Sequence, residues 1–240
     1  MAQHLLLRLE APLMSFGAVA VDQRRPVQAW PAVSMLTGLL ANALGWNRQA
    51  AQRLDALQDR IRWAARIERA GFLLEDFQTV RLKRDDAGWT TRNVVERREG
   101  GEGAYRSPHL RYRDYRADAS VLVALRLEPA DAEPTLEELA QALDRPQRPL
   151  FIGRKGCPPA CRILAGRAEG EDAVQALRNA PTGERGSSED CTLFSNEKGE
   201  ATAGWLAHTV ADERRFGLDV HAGSSIVFER PAQRVEEAHG

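Results

Sequence analysis

Between Ile61 and Glu68, apolar Ile61, Trp63, Ala65 and Ile67 alternate with Arg62, Ala64, Arg66 and Glu68; Val121, Val123, Leu125 and Leu127 repeat the pattern between Ala119 and Glu128. A period of two places each apolar set on one face of an extended strand. His4 to Leu9, followed by Pro12, reads as an earlier strand, and Cys161 to Ala165 as a later one. Helical signals fill the gaps. Ser34 is placed to cap a helix from Met35 to Leu44 that ends at Gly45, and a second runs from about Gln49 to Asp59 with Ala51, Leu54 and Leu57 on one face. Thr135 and Glu138 form a capping box ahead of the stripe Leu136, Leu139, Ala140 and Leu143. The main elements therefore read β, α, β, β, α, β, the ferredoxin-like order shared by RNA-recognition folds, and the fold class expected is α+β. Beyond Gly170 the pattern weakens to a short helix at Glu171 to Asn179, a polar Gly/Ser stretch from Pro181 to Asp190, and a strand or two near the C-terminus.

Between the middle strands lies an insertion, roughly Thr79 to Arg116, too long for a hairpin loop in a compact domain. From Arg81 to Arg116 it carries ten basic residues, among them Lys83, Arg84, Arg92, Arg106, Arg111 and Arg113, against six acidic ones, leaving +4 locally. Trp89, Tyr105, Tyr112 and Tyr115 are interleaved, which suits stacking on unpaired bases beside phosphate contacts. The alternative is a solvated basic loop whose aromatics pack on the sheet. The organisation expected is a first part of a palm over 1–78, the insertion over 79–116, a second part of the palm over 117–170 and an irregular C-terminal extension over 171–240.

A second basic element is the run Arg148-Pro149-Leu150-Phe151-Ile152-Gly153-Arg154-Lys155-Gly156-Cys157-Pro158-Pro159. The glycines permit positive φ and close backbone approach, the prolines stiffen the exit, and Arg154 with Lys155 supply charge suited to phosphates. The formal net charge of -1 argues against a uniformly basic nucleic-acid binder, so the distribution of charge matters more than its sum. Of 33 basic residues only Lys83, Lys155 and Lys198 are lysines; arginine is the residue for bidentate phosphate recognition. Cys157, Cys161 and Cys191 lack paired Cys-x-x-Cys spacing, so neither a disulfide framework nor a complete zinc site is indicated. No apolar run is long enough to span a bilayer, and the chain reads as cytoplasmic, with no membrane partner.

Taken together, Pro12-Leu13-Met14-Ser15-Phe16-Gly17, Arg25-Pro26, Pro31 with Ser34 leading into Gly38-Leu39-Leu40 to Gly45, Asp76-Phe77-Gln78-Thr79-Val80, Arg113-Asp114-Tyr115 before Asp118-Ala119-Ser120, and Phe151 to Pro158 resemble the CasD subunits of type I-E CRISPR surveillance complexes (Cascade), members of the RAMP superfamily. The resemblance runs from His4 to about Gly166. It implies a ferredoxin-like palm with a long inserted β-hairpin thumb, in a non-catalytic subunit that caps the foot of the complex and holds the repeat-derived 5′ handle of the guide RNA. The thumb would reach toward a backbone subunit. The implied partners are the guide RNA, the backbone, large and small Cascade subunits, and target DNA indirectly; no cofactor is implied. Arg25, Arg111, Arg113, Phe151, Arg154 and Lys155 are the RNA-binding candidates. Lys83, Arg84, Trp89, Arg92, Tyr105, Arg106 and His109 are the thumb candidates for RNA or subunit contact. The chain departs from the family pattern at Gln78, where many relatives carry histidine, at Lys155-Gly156, which replace a commoner Arg-Ser, and in the tail from about Asp190. The alternative within the superfamily is a metal-independent endoribonuclease that processes precursor CRISPR RNA. His109, Tyr105 and Lys83 would then supply the acid, base and phosphate contacts, a role Gln78 cannot share because its amide does not titrate.

Overall fold

The computed structural model describes residues 1–81, 88–89, 95–96, 108–181, 191–218 and 220–232. In chain order the strands are β1 (Ala2–Met14), β2 (Arg24–Arg25), β3 (Ile61–Arg69), β4 (Phe72–Val80), β5 (Gly88–Trp89), β6 (Val95–Glu96), β7 (His109–Leu127), β8 (Leu164–Gly170), β9 (Thr192–Ser195), β10 (Leu206–Arg215) and β11 (Val220–Arg230). The helices are α1 (Val33–Ala43), α2 (Ala51–Arg60), α3 (Leu136–Asp144) and α4 (Ala173–Asn179). Among the described residues nine strands form one sheet in the order β10-β11-β9-β3-β7-β1-β8, with β4 and β2 also pairing with β7. All of its pairings are antiparallel except β2 with β7. The result is a mixed α/β fold dominated by an antiparallel sheet.

The alternation read from sequence sets the main core. Ile61, Trp63, Ala65, Val121, Val123 and Leu125 are buried with Leu5, Leu7 and Leu9 against the helix side formed by Leu36, Leu40, Leu139 and Leu143. The opposite face is not solvated as the polar positions of β3 suggest. There α4 covers Leu6, Ala64, Leu122 and Ala124 with Ala173, Val174, Ala176 and Leu177. Arg66 lies fully buried beneath it, donating to the main-chain carbonyls of Leu177 at 2.9 Å and Pro181 at 2.7 Å and to Glu68 at 2.7 Å. The strand arginine thus satisfies carbonyls that the end of α4 leaves open. Burial pushes the Glu68 carboxyl up, but the hydrogen bonds from Arg66 and Arg8 outweigh it and hold the group below its ordinary range.

The capping box at Thr135 and Glu138 is present, and Gly45 closes the α1 end with φ at 74°. Three expectations change. Ser34 does not cap α1: the helix begins at Val33 and the N-cap residue, Ala32, offers no side-chain bond. Instead the Val33 amide donates to Asp212 Oδ2 at 3.3 Å, and Asp212, 1% exposed, also accepts from Ser225 Oγ. The strand expected from Cys161 starts at Leu164 instead. Pro158 and Pro159 have no amide proton to offer a ladder, so that segment meets β1 through isolated bonds from Ala160 to Glu10 and from Arg8 to Ile163. The C-terminal region is no irregular extension. β9 pairs with β3, β11 with β9 and β10 with β11, so the tail widens the same sheet.

β3 and β4 follow one another along β7, interrupted at Ala70 and Gly71 opposite Asp118. Gly71 has φ at 61°, and a Cβ there would lie 2.1 Å from the Ala117 carbonyl oxygen. Asp118 also has positive φ, 51°, and its carbonyl accepts from Arg69 at 2.7 Å. Beyond this point β4 and β7 form a two-stranded ribbon in continuous register from Phe72↔Ala117 to Val80↔His109. The insertion is therefore carried on arms that start earlier than residue 79. The middle of it lies outside the described residues except β5 and β6, which pair antiparallel.

Candidate nucleic-acid interface

The glycine-rich loop is fastened to the end of β1. The Ser15 amide donates to the Ile152 carbonyl at 3.1 Å, the Ile152 amide to Cys157 at 2.8 Å and the Cys157 amide to Arg154 at 2.9 Å. Gly153 has φ at 86°, and a Cβ there would lie 1.7 Å from the Ser15 carbonyl oxygen, so its freedom serves contact within the chain rather than with a ligand. A Cβ on Gly156 would meet nothing within 4 Å. Cys157 is buried, which pushes its thiol pKa up, while Cys161 is exposed.

From this loop Arg154 reaches across to β2 and the ribbon. Its guanidinium donates to the carbonyls of Asp114 at 2.8 Å and Arg25 at 2.9 Å and lies 4.7 Å from the Tyr115 ring centroid. Arg154 thus ties three elements together. Arg25 stands opposite Arg113 in the β2/β7 pairing and donates to the carbonyls of Asp22 at 2.8 Å and Arg24 at 3.1 Å. Arg111, Arg113 and Tyr115 share one face of β7 by the two-residue period. Arg25 and Arg154 meet the ribbon beside Arg113, Asp114 and Tyr115, whereas Arg111 stands farther out, opposite Gln78. Neither Arg111 nor Arg113 is among the residues that line the cavity beside the loop. Tyr112 points to the other face, where it packs on Phe77 at 4.9 Å with Arg24 over its ring at 4.7 Å. Phe151 is half-buried and Lys155 is exposed. His109 is exposed at the far end of the ribbon, opposite Val80. Lys83, Arg84, Arg92, Tyr105 and Arg106 lie outside the described residues, as does the Trp89 side chain, only its backbone being placed in β5.

Beside the loop opens a cavity of about 810 Å³. One wall holds Arg25, Arg148, Phe151, Arg154 and Lys155; Trp46 and Arg48 stand at the end of α1, and Arg214, Phe216 and His221 of the β10–β11 hairpin also line it. Among the described residues, six arginines or lysines and three aromatic rings line it, with no aspartate or glutamate. In a chain of net charge -1 this is a local concentration of positive charge in a concave site, where field lines focus. Gly38 lies on the lining as well. It is exposed on α1, and a Cβ there would meet nothing within 4 Å, so it faces open space instead of packing on the sheet.

The walls are pinned from behind. Arg148 donates to the Trp46 carbonyl at 2.9 Å and Asn42 Nδ2 to Pro149 at 2.7 Å. Trp46 carries the Arg53 guanidinium over its ring at 4.1 Å. Sequence reading found the loop side of this cavity and missed Trp46, Arg48, Arg214, Phe216 and His221. Arg148 was inside the glycine-loop run but was not marked as a site residue. Among the described residues no group of three or more His, Cys, Asp or Glu side chains is placed to hold a metal ion, and no helix is long and apolar enough to cross a membrane.

Residues 4–233 match the family described as CRISPR-associated protein (Cas_Cas5). Over 181 residues the chain is 31% identical to the CRISPR system Cascade subunit CasD of Escherichia coli (strain K12), covering 75% of this chain and 77% of that protein. The fold matches a chain of a structure titled CRISPR RNA-guided surveillance complex, with a TM-score of 0.67 and 24% identity over 95% of this chain and 90% of that one. It also matches a structure titled Crystal structure of Cas protein, with a TM-score of 0.59 and 25% identity over 95% and 92% of the two chains. Matched from within the first strand through its last described residue, this chain belongs to the CRISPR-associated protein (Cas_Cas5) family.

Proposed function

We propose that this protein is a non-catalytic, cytoplasmic subunit of a type I-E surveillance complex that holds the 5′ handle of the guide RNA in this cationic cavity. The observation that carries this reading is the lining itself: six cations and three aromatic rings around about 810 Å³, without a carboxylate among the described residues that form it. Cations suit phosphates, aromatic rings suit unpaired bases, and the described lining sets no carboxylate against a polyanion. In this reading the strand order β3-β7-β1-β8, with α1 and α3 in its crossovers, is a ferredoxin-like palm. The β4/β7 ribbon is then the base of a thumb that reaches a neighbouring backbone subunit. Arg25, Phe151 and Lys155 face the handle in the cavity, Arg111 and Arg113 meet the strand where it leaves along the ribbon, and Arg154 fixes the ribbon and β2 against the loop.

The test is to mix the purified protein, without metal, with 5′-labelled RNA of its own repeat and with a scrambled control, and to run native and denaturing gels. Retention of the repeat RNA, uncut, supports the reading. Sequence-specific cleavage would move the protein into the processing-nuclease class and make His109 the next residue to replace.

A further inference from the structure

The cavity's far side is made by the part of the chain in which the sequence offered neither a clear pattern nor a family likeness. Arg214 and Phe216, at the end of β10 and just beyond it, and His221, early in β11, line the same space as Phe151, Arg154 and Lys155. Their placement is built in. The Gln58 side chain, 4% exposed on α2, donates to the Arg214 carbonyl and accepts from the Arg214 amide, both at 3.1 Å. Two residues on, the Phe216 amide donates to Asp55 Oδ1 at 3.1 Å. The same hairpin caps α1 through buried Asp212 and Val33. The hairpin is thus bound at three points to the two helices behind the cavity.

Resting on the RNA-binding reading above, we propose that the β10–β11 hairpin is a second RNA-binding wall. Arg214 and His221 face the phosphate chain, Phe216 gives a stacking surface to an unpaired base, and Gln58 and Asp55 are the positioning residues that set the wall. Single-stranded RNA is the occupant this chemistry selects. A ring set between cations serves a ligand that alternates base and phosphate, and stacking requires bases free of a duplex. A wall held this way is organised before the ligand arrives, so little ordering cost falls on binding.

The experiment titrates the full-length protein and its variants against a labelled single-stranded RNA of the repeat 5′ end, across a salt series, with melting curves confirming that each variant is folded. Arg214→Ala is expected to weaken binding and to reduce the salt slope by about 0.7. Phe216→Ala is expected to weaken it about five- to hundredfold with the slope unchanged, and Phe216→Trp to restore it. Gln58→Leu, which keeps every cation, is expected to weaken binding without altering the slope. With 4-thiouridine in the RNA, ultraviolet crosslinks are expected on the peptide holding Phe216 and His221. If Lys155→Ala weakens binding while Arg214→Ala and Phe216→Ala bind as the parent does, and no crosslink reaches the hairpin, the second wall is refuted and the RNA-binding reading survives. If the folded parent protein binds no RNA, the broader reading falls, and this inference with it.

Discussion

Gly38 separates folding from binding at a single position. It is near the middle of α1, exposed, with no atom within 4 Å of the position a Cβ would take. Glycine inside a helix costs about 1 kcal/mol relative to alanine, and nothing around Gly38 offsets a gain on adding the methyl group. Gly38→Ala is therefore expected to stabilise the protein by about 1 kcal/mol, a rise in Tm of about 2–4 °C for a chain of this size. Gly38→Glu keeps most of that gain, because glutamate is also a good helix former, and the cationic lining adds to it. The same carboxylate stands against any phosphate that enters. At a separation of about 6 Å and an effective dielectric between 20 and 80, the repulsion is about 1–3 kcal/mol, so handle RNA should bind about fivefold to hundredfold more weakly. Gly199→Glu supplies the control: its Cβ also meets nothing within 4 Å, and Gly199 is not among the cavity residues. Thermal melting and fluorescence anisotropy on the three variants decide the matter. If Gly38→Ala lowers the Tm, the open-space geometry is wrong. If Gly38→Glu is stable and binds RNA like Gly199→Glu, RNA does not occupy this cavity.

The two glycines of the basic loop should behave oppositely: Gly153→Ala drives a methyl group into the Ser15 carbonyl at positive φ and should cost about 1–3 kcal/mol in chemical denaturation, whereas Gly156→Ala should be close to neutral. His4 is fully buried, with Nδ1 on the Ala2 carbonyl, and burial lowers its pKa below 6.5. A depressed histidine pKa means the unfolded chain takes up the proton first, so stability is full above about 6.5 and declines as pH falls below it, by up to about 1.4 kcal/mol per unit. Urea titrations from pH 7.5 to 5 should show that decline reduced in His4→Phe; an identical decline would assign it to other groups. Removing residues 82–107 leaves the ladder from Val80↔His109 inward intact. The shortened chain should melt like the parent but fail to co-elute with the backbone subunits on size exclusion, and normal co-elution would contradict the thumb reading.

What could be read from the sequence was what short-range physics writes there. The alternation at Ile61 to Glu68, the Thr135–Glu138 box and Gly45 each act within a few residues, and the structure keeps them. Asp212 could not be recognised as the cap of α1, because its partner is 179 residues away and Ser34 offers the local alternative. Arg66 reads as a solvated position by period, yet it is buried because α4 later covers that face. β10 and β11 bury few side chains: exposed and half-buried positions fill most of them, with Asp212 and Val227 the buried ones, so main-chain pairing defines these strands more than side-chain pattern does. The cavity divides the same way. Its loop side is a compact basic run, visible in one dimension, whereas Arg48, Arg214 and His221 are scattered residues that only the fold assembles.

The central claim is that this cavity holds single-stranded handle RNA chiefly by charge, and the salt dependence of the parent protein's affinity tests it most directly. Six lining cations at about 0.7 per phosphate set a limit near -4 for the slope of log K against log salt. The account predicts a slope between about -2 and -4, with the repeat 5′ end bound more tightly than a scrambled strand. A folded protein that binds the two strands equally with a slope near zero would contradict it.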